Sequence, residues 1–277
     1  MQPERQSWAL VTGASGGIGR ALCDRLLQAG WPLLMVARRT GPLAVQLREL
    51  QSAYPDGQVA MLALDLAGEA AASILADWCQ VRDLHLGLLV NAAGVQAFAP
   101  LSEQTERAIL AQIQLNLLAP IRLTRALLPF MDGQSQVVNL GSTFGDIGYP
   151  GFSVYCASKA GLHQFSQALG RELGPDGPRI CLLAPRATDT DLNAGGVAAL
   201  NRAMGNGVDS PQQVAQALMA LLKGGRRRYL GGPERLYVLL NRLFPGLLDR
   251  VLGGQRKKIL QFCRADTPAD TLKEPQS

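Results

Sequence analysis

A chain of 277 residues with 47% apolar and 18% charged side chains has material for one large buried core, and its composition excludes global disorder. The formal net charge is only +5, and no apolar run reaches the roughly 18 residues that a membrane span requires. The five cysteines (Cys23, Cys79, Cys156, Cys181, Cys263) lack metal-ligand spacing, and the N-terminus lacks the apolar core of a secretion signal, which together predict reduced thiols, no metal site and a cytoplasmic protein.

Short apolar runs then alternate with helix-length stretches. WALVTG, PLLMVAR, QVAMLALD, LGLLVNAAG, SQVVNLGS and RICLLAP read as strands, and segments such as GIGRALCDRLLQAG and QTERAILAQIQLNLLAPIRLTRALLPFM separate them as helices. Their hydrophobicity is continuous rather than alternating, the mark of strands buried on both faces of a parallel sheet. The pattern predicts an α/β fold: a Rossmann-like doubly wound parallel sheet, single domain, over residues 1–222, binding ligands at the strands' carboxyl ends.

The first turn, TGASGGIG, places Gly13, Gly17 and Gly19, with Ser15 and Ile18, between a strand and a helix. Glycines there let the backbone approach a pyrophosphate resting on helix N-terminal amides. The second strand ends in VARRT. Where an acid would hold the ribose hydroxyls of NAD(H), this chain has Arg38 and Arg39, a cationic fork that suits the 2′-phosphate of NADP(H). Asp65, ending the third strand, is placed to meet adenine, and NAAG, with Asn91, Ala92 and Gly94, to pass under the adenosine.

Further along come Asn116 in LNLLAP, Ser142 in NLGST, and Tyr155 and Lys159 in YCASK. With TGASGGIG and NAAG these make five motifs in order, and from about Ser7 to Leu222 the chain resembles the short-chain dehydrogenase/reductase (SDR) family. The resemblance implies a catalytic tetrad of Asn116, Ser142, Tyr155 and Lys159, with Tyr155 and Lys159 also touching the cofactor, and a homodimer or homotetramer.

Elementary physics agrees with those roles. Tyr155 and Lys159 are four residues apart and share one helix face. A free phenol has a pKa of about 10; an ammonium about 4 Å away at an effective dielectric near 20 contributes roughly 4 kcal/mol, which lowers it by about three units. Ser142 is placed to polarise a substrate carbonyl, and Asn116 to hold a water linking Lys159 to solvent. His85 and His163 have no acid or nucleophile partner in any motif and read as structural. In APRATDT, Pro185 and Thr190 keep the family's places, whereas Arg186 replaces its glycine; Thr190, with Thr188, is expected at the carboxamide or pyrophosphate.

Residues 190–208, rich in glycine and small apolar side chains, read as a mobile flap over a lipophilic pocket. Beyond them charge concentrates: residues 223–264 carry eleven Lys/Arg against two acids, net +9, while the rest of the chain is net −4. Leucines interleaved with arginines make 223–264 a basic amphipathic helical extension, open to two readings: packing on the body or a neighbouring subunit, or lying on an anionic membrane surface. Residues 265–277 read as a disordered tail.

The expected function is NADPH-dependent hydride transfer to a small-molecule carbonyl substrate, a lipophilic ketone or aldehyde such as a fatty-acyl intermediate. The same site run as an NADP-dependent alcohol dehydrogenase, or a non-catalytic NADP-binding scaffold, are the alternatives. The expected setting is the cytoplasm, with peripheral contact at the inner membrane surface left open. No nucleic-acid partner is expected, since no binding motif accompanies the basic segment.

Overall fold

The six apolar runs form six strands of one sheet, and a seventh strand has no apolar run to announce it. In the computed structural model, which describes residues 7–263, the elements run β1 (Ser7–Thr12), α1 (Gly17–Gln28), β2 (Leu33–Ala37), α2 (Thr40–Ala53), β3 (Val59–Ala63), α3 (Ala71–Val81) and β4 (His85–Asn91). They continue with α4 (Glu106–Ile113), α5 (Ala119–Leu127), β5 (Gln136–Leu140), α6 (Ser153–Glu172), β6 (Arg179–Ala184), α7 (Gly196–Met204), α8 (Pro211–Lys223), β7 (Arg227–Tyr229), α9 (Gly232–Leu243) and α10 (Pro245–Cys263). The tail expected at 265–277 lies outside the described residues.

All pairings are parallel, in the order β3-β2-β1-β4-β5-β6-β7. Alternate residues of each central strand feed opposite cores. Ala9 and Val11 pack with Leu22 and Leu26 of α1 and Val214 and Leu218 of α8, while Leu10 packs with Leu75 of α3 and Leu123 of α5. Two covered faces explain why the strands read as unbroken apolar runs.

Two features depart from the sequence pattern. The stretch 223–264 is not helical throughout, because Arg227–Tyr229 adds an exposed edge strand to β6. An edge strand of Arg-Arg-Tyr carries no hydrophobic signal. The long helix expected around Asn116 is also divided, by a π-helical turn at Gln114–Leu118. Pro120 has no N–H to give the carbonyl four residues back, that of Asn116, and the helix widens there.

A third apolar cluster caps the carboxyl end of the sheet. Phe98, Phe152, Tyr155, Val197 and Leu200 meet Ile259 and Cys263 of α10. The extension therefore packs on the body at its far end. It also covers the 190–208 segment, where α7 buries Val197 and Leu200 and Lys258 donates to the Ala203 carbonyl at 3.0 Å.

Candidate active site

Residues following six strands enclose a cleft of about 380 Å³. Every site residue expected from the sequence lines it except Asn91 and Asn116.

At the β1 end, Gly13 has φ +66°, and a Cβ there would stand 2.7 Å from the Ala93 Cα. A Cβ on Gly19 would drive into the Gly13 carbonyl, and one on Gly17 would lie 2.6 Å from the Thr190 methyl. These glycines hold the turn against NAAG and place Thr190 over the start of α1. No side chain caps α1, so its first amides have no side-chain acceptor. Thr12 carries no motif signal, yet its hydroxyl accepts from the Ala92 and Ala93 amides at 3.0 and 3.2 Å and donates to the Val90 carbonyl at 3.3 Å.

Arg38 and Arg39 stand exposed where β2 leaves the sheet, and neither forms an ion pair among the described residues. Uncapped amides against a glycine turn, with two available guanidinium groups a strand away, fit a dinucleotide: diphosphate at 13–19 and an anionic ribose substituent at 38–39. Among the described residues no His/Cys/Asp/Glu group could hold a metal ion.

Asn91 does not reach the cleft. Its amide donates to Asn139 Oδ1 at 2.8 Å across the β4–β5 pair, so the residue ties strands together. Asn116 is fully buried, its amide nitrogen donating to the Val95 carbonyl (2.8 Å) and Ser158 Oγ (3.1 Å) while its oxygen accepts from the Val95 amide (2.9 Å). Both amide donors are thus engaged by protein, and one acceptor position of Oδ1 remains for the expected water. Pro120 removes the α-helical donor to the Asn116 backbone carbonyl, and the turn there is π-helical.

At the reactive end, α6 presents Tyr155 and Lys159 on one face, and Ser142 begins the turn after β5. Lys159 Nζ donates to the Leu140 carbonyl at 2.9 Å and lies 5.7 Å from the Tyr155 ring centroid. Here the electrostatics run against the spacing argument. Burial pushes the Tyr155 phenol up to about 12, a hydrogen bond with Ser142 offsetting only part of the rise. Burial likewise pushes Lys159 down to about 8. Desolvation opposes both charged forms, and an ammonium held by a backbone carbonyl beside the ring does not overcome it.

Both histidines have acid partners after all. His85 Nε2 lies 3.1 Å from Asp132, at the surface. Buried His163 has Nδ1 3.1 Å from Asp146, and its Nε2 accepts from the Ser142 backbone amide at 3.4 Å. Asp146 also accepts from Tyr229 Oη at 2.8 Å and Arg242 Nη2 at 2.6 Å, and its backbone carbonyl accepts from Asn241 Nδ2 at 2.7 Å. Burial would raise this carboxyl, but the hydrogen bonds from His163, Arg242 and Tyr229 outweigh it and hold Asp146 far below the usual carboxylate range. A chain of contacts thus joins the Ser142 turn to β7 and α9. The partners lie 17 to 96 residues apart in sequence, so no local motif could have revealed them.

Arg186 is not a loose cation in the cleft. It bonds Asp209 (3.0 Å) and Glu234 of α9 (3.1 Å). Thr188 is buried, bridging to Asp209, and its carbonyl accepts from Asn193 Nδ2 at 2.7 Å.

The substrate end is aromatic. Phe98 stacks on Phe152 at 4.5 Å, Phe144 on Tyr149 at 4.8 Å, and Phe152 meets the Tyr155 ring edge-on at 6.3 Å. Gly151 (φ +84°) allows this packing, since a Cβ there would lie 2.7 Å from Phe98 and 2.8 Å from Cys263 Sγ.

Comparison with known proteins converges on one family. Residues 7–200 match the model of the short chain dehydrogenases. A very-long-chain 3-oxoacyl-CoA reductase of Emericella nidulans is 33% identical over 183 residues, 64% of this chain and 52% of that protein, so the chain spans about half the length of this relative. A sulfoacetaldehyde reductase of Chromohalobacter salexigens is 36% identical over 192 residues, 66% of this chain and 72% of that one. A short-chain dehydrogenase structure from Streptomyces avermitilis superposes with a TM-score of 0.74 at 31% identity, covering 95% of this chain and 99% of its own. Another, from Sphingobium yanoikuyae in complex with NADPH, superposes with a TM-score of 0.73 at 28% identity over 88% of this chain and 95% of its own. Sequence, sheet order and structural likeness agree: this chain belongs to the short-chain dehydrogenase/reductase family.

Proposed function

We propose that the protein is an NADPH-dependent reductase of a lipophilic ketone or aldehyde, with Ser142, Tyr155 and Lys159 as its catalytic groups. The observation that carries this reading is a buried phenol hydrogen-bonded with a serine hydroxyl beside an aromatic wall, on the same helix as a buried lysine one turn on. Reduction of a carbonyl needs a proton donor at the oxygen, and a phenol raised to about 12 holds its proton at neutrality until negative charge develops there. Ser142 donates to that oxygen and fixes its angle. Lys159 stands beside the phenol, its Nζ 5.7 Å from the ring centroid and held by the Leu140 carbonyl.

When bound, NADPH supplies the hydride. Gly13, Gly17 and Gly19 with Ile18 would hold its diphosphate, Arg38 and Arg39 with Ser15 its 2′-phosphate, Asp65, Ala92 and Gly94 its adenosine, and Pro185, Thr188 and Thr190 its nicotinamide side. NADPH in the Sphingobium structure and the 3-oxoacyl-CoA reductase relatives support the cofactor and a substrate with an acyl-like body. The family context supports a homodimer or homotetramer.

The test is NADPH absorbance loss across a panel of aliphatic and aromatic ketones and aldehydes of increasing chain length. Turnover should rise with apolar length and vanish in Tyr155→Phe while NADPH binding persists. Equal turnover by Tyr155→Phe would overturn the assignment.

A further inference from the structure

The outer side of the C-terminal helices remains unexplained by any catalytic role. Helix α9 turns Glu234, Val238 and Asn241 toward the body: Glu234 bonds Arg186, Val238 is buried, and Asn241 donates to the Asp146 carbonyl. Both its ends are therefore clamped, one beside Pro185 and the other to the Ser142 turn. The opposite face points to water, with Leu236, Leu239, Leu243, Phe244, Leu247 and Val251 all 49–61% exposed. They form one strip across the α9–α10 junction. Isolated exposed leucines are ordinary, but a contiguous apolar strip on two rigidly held helices calls for an occupant.

Charge identifies that occupant. On α10, Leu248, Ile259 and Cys263 define the buried side. At 100° per residue, Arg250 and Lys257 fall opposite them, with Leu247 beside the two cations and Val251 on the flank between Leu247 and the buried side. Arg235 borders the strip on α9. The two acids of residues 232–263 are both elsewhere: Glu234 is tied to Arg186, and Asp249 lies on the inner side, lining a cleft with Tyr149 and Cys156. An apolar strip bordered by cations and, among the described residues, free of carboxylates complements a surface that is oily beneath and anionic above. A second copy of the chain fits poorly, because a two-fold contact through this face would set cations against cations. None of the helices is long and apolar enough to cross a membrane among the described residues, so contact would be peripheral.

We propose that the α9–α10 face docks the enzyme on an anionic phospholipid surface, with the apolar strip entering the headgroup boundary and Arg235, Arg250 and Lys257 pairing with lipid phosphates. This does not depend on which carbonyl compound is reduced.

The experiment is co-sedimentation of the full chain with phosphatidylcholine vesicles, with and without phosphatidylglycerol, read without turnover. The comparison is Leu243→Glu/Phe244→Glu, both residues more than half exposed, so the fold tolerates them; melting and NADPH binding confirm it. Wild-type protein should bind the phosphatidylglycerol vesicles and release in high salt, and the variant should bind about tenfold more weakly or worse. Absence of wild-type binding, equal binding to neutral vesicles, or unchanged binding of the variant each overturns the proposal. A wild-type oligomer that the variant converts to monomers overturns it too, and assigns the strip to self-association.

Discussion

Replacing Asp146 tests the link between the catalytic serine's turn and the C-terminal helices. The carboxylate is 10% exposed and receives Tyr229 at 2.8 Å and Arg242 at 2.6 Å, with His163 3.1 Å away. In Asp146→Ala, Arg242 is half exposed and recovers water, whereas buried His163 and half-buried Tyr229 lose their acceptor. At about 1–3 kcal/mol for each buried group left unsatisfied, the loss should be about 3 kcal/mol, with Asp146→Asn costing roughly half as much because an acceptor remains. For a domain of this size, about 2–4 °C of melting temperature per kcal/mol makes the alanine shift about 6–12 °C. The acid limb carries a second signature. The unfolded carboxyl takes up a proton near pH 3.9, about the usual aspartate value, while the folded one resists to far lower pH. Over that window the unfolded state binds more protons, so the contribution is complete above it and is lost as pH falls. Urea melts of wild type and variant from neutral to acid pH should therefore converge at the acid end. A gap below about 1 kcal/mol at neutrality, or a gap that stays constant into acid, would show that this carboxylate does not hold the network together.

Three further outcomes follow from the site. Arg38→Ala/Arg39→Ala should weaken NADPH by about 3 kcal/mol, roughly a hundredfold, and leave NADH unchanged, as read by fluorescence titration; equal loss for both cofactors would move the 2′-phosphate elsewhere. Lys159→Met should abolish turnover yet melt at a higher temperature than wild type at pH 7. The folded lysine loses its proton near about 8 against 10.5 for the ordinary group, so burying its charge is most unfavourable below 8. The variant's advantage should shrink as pH rises from about 8 to 10.5, and a constant or absent advantage would contradict the burial argument.

The sequence by itself determined the sheet's interior, because strands covered on both faces must be apolar throughout, and WALVT or LLMVA can hardly do anything else. It also determined the glycine turn and the Tyr155–Lys159 pair, since their logic is local: positive φ at Gly13, and one helix face at a spacing of four. Tertiary structure decided what depends on distant partners or on burial. The second partner of β6 is an edge strand of Arg-Arg-Tyr with no pattern of its own, and Asn91 and Asn116 turned to protein contacts that only folding supplies. The proton affinity of Tyr155 moved opposite to the pairwise expectation and that of Lys159 fell, because desolvation is a property of everything packed around a group. His163, Asp146, Arg186 and α9 came together across up to 96 residues of chain, through contacts that no local spacing encodes.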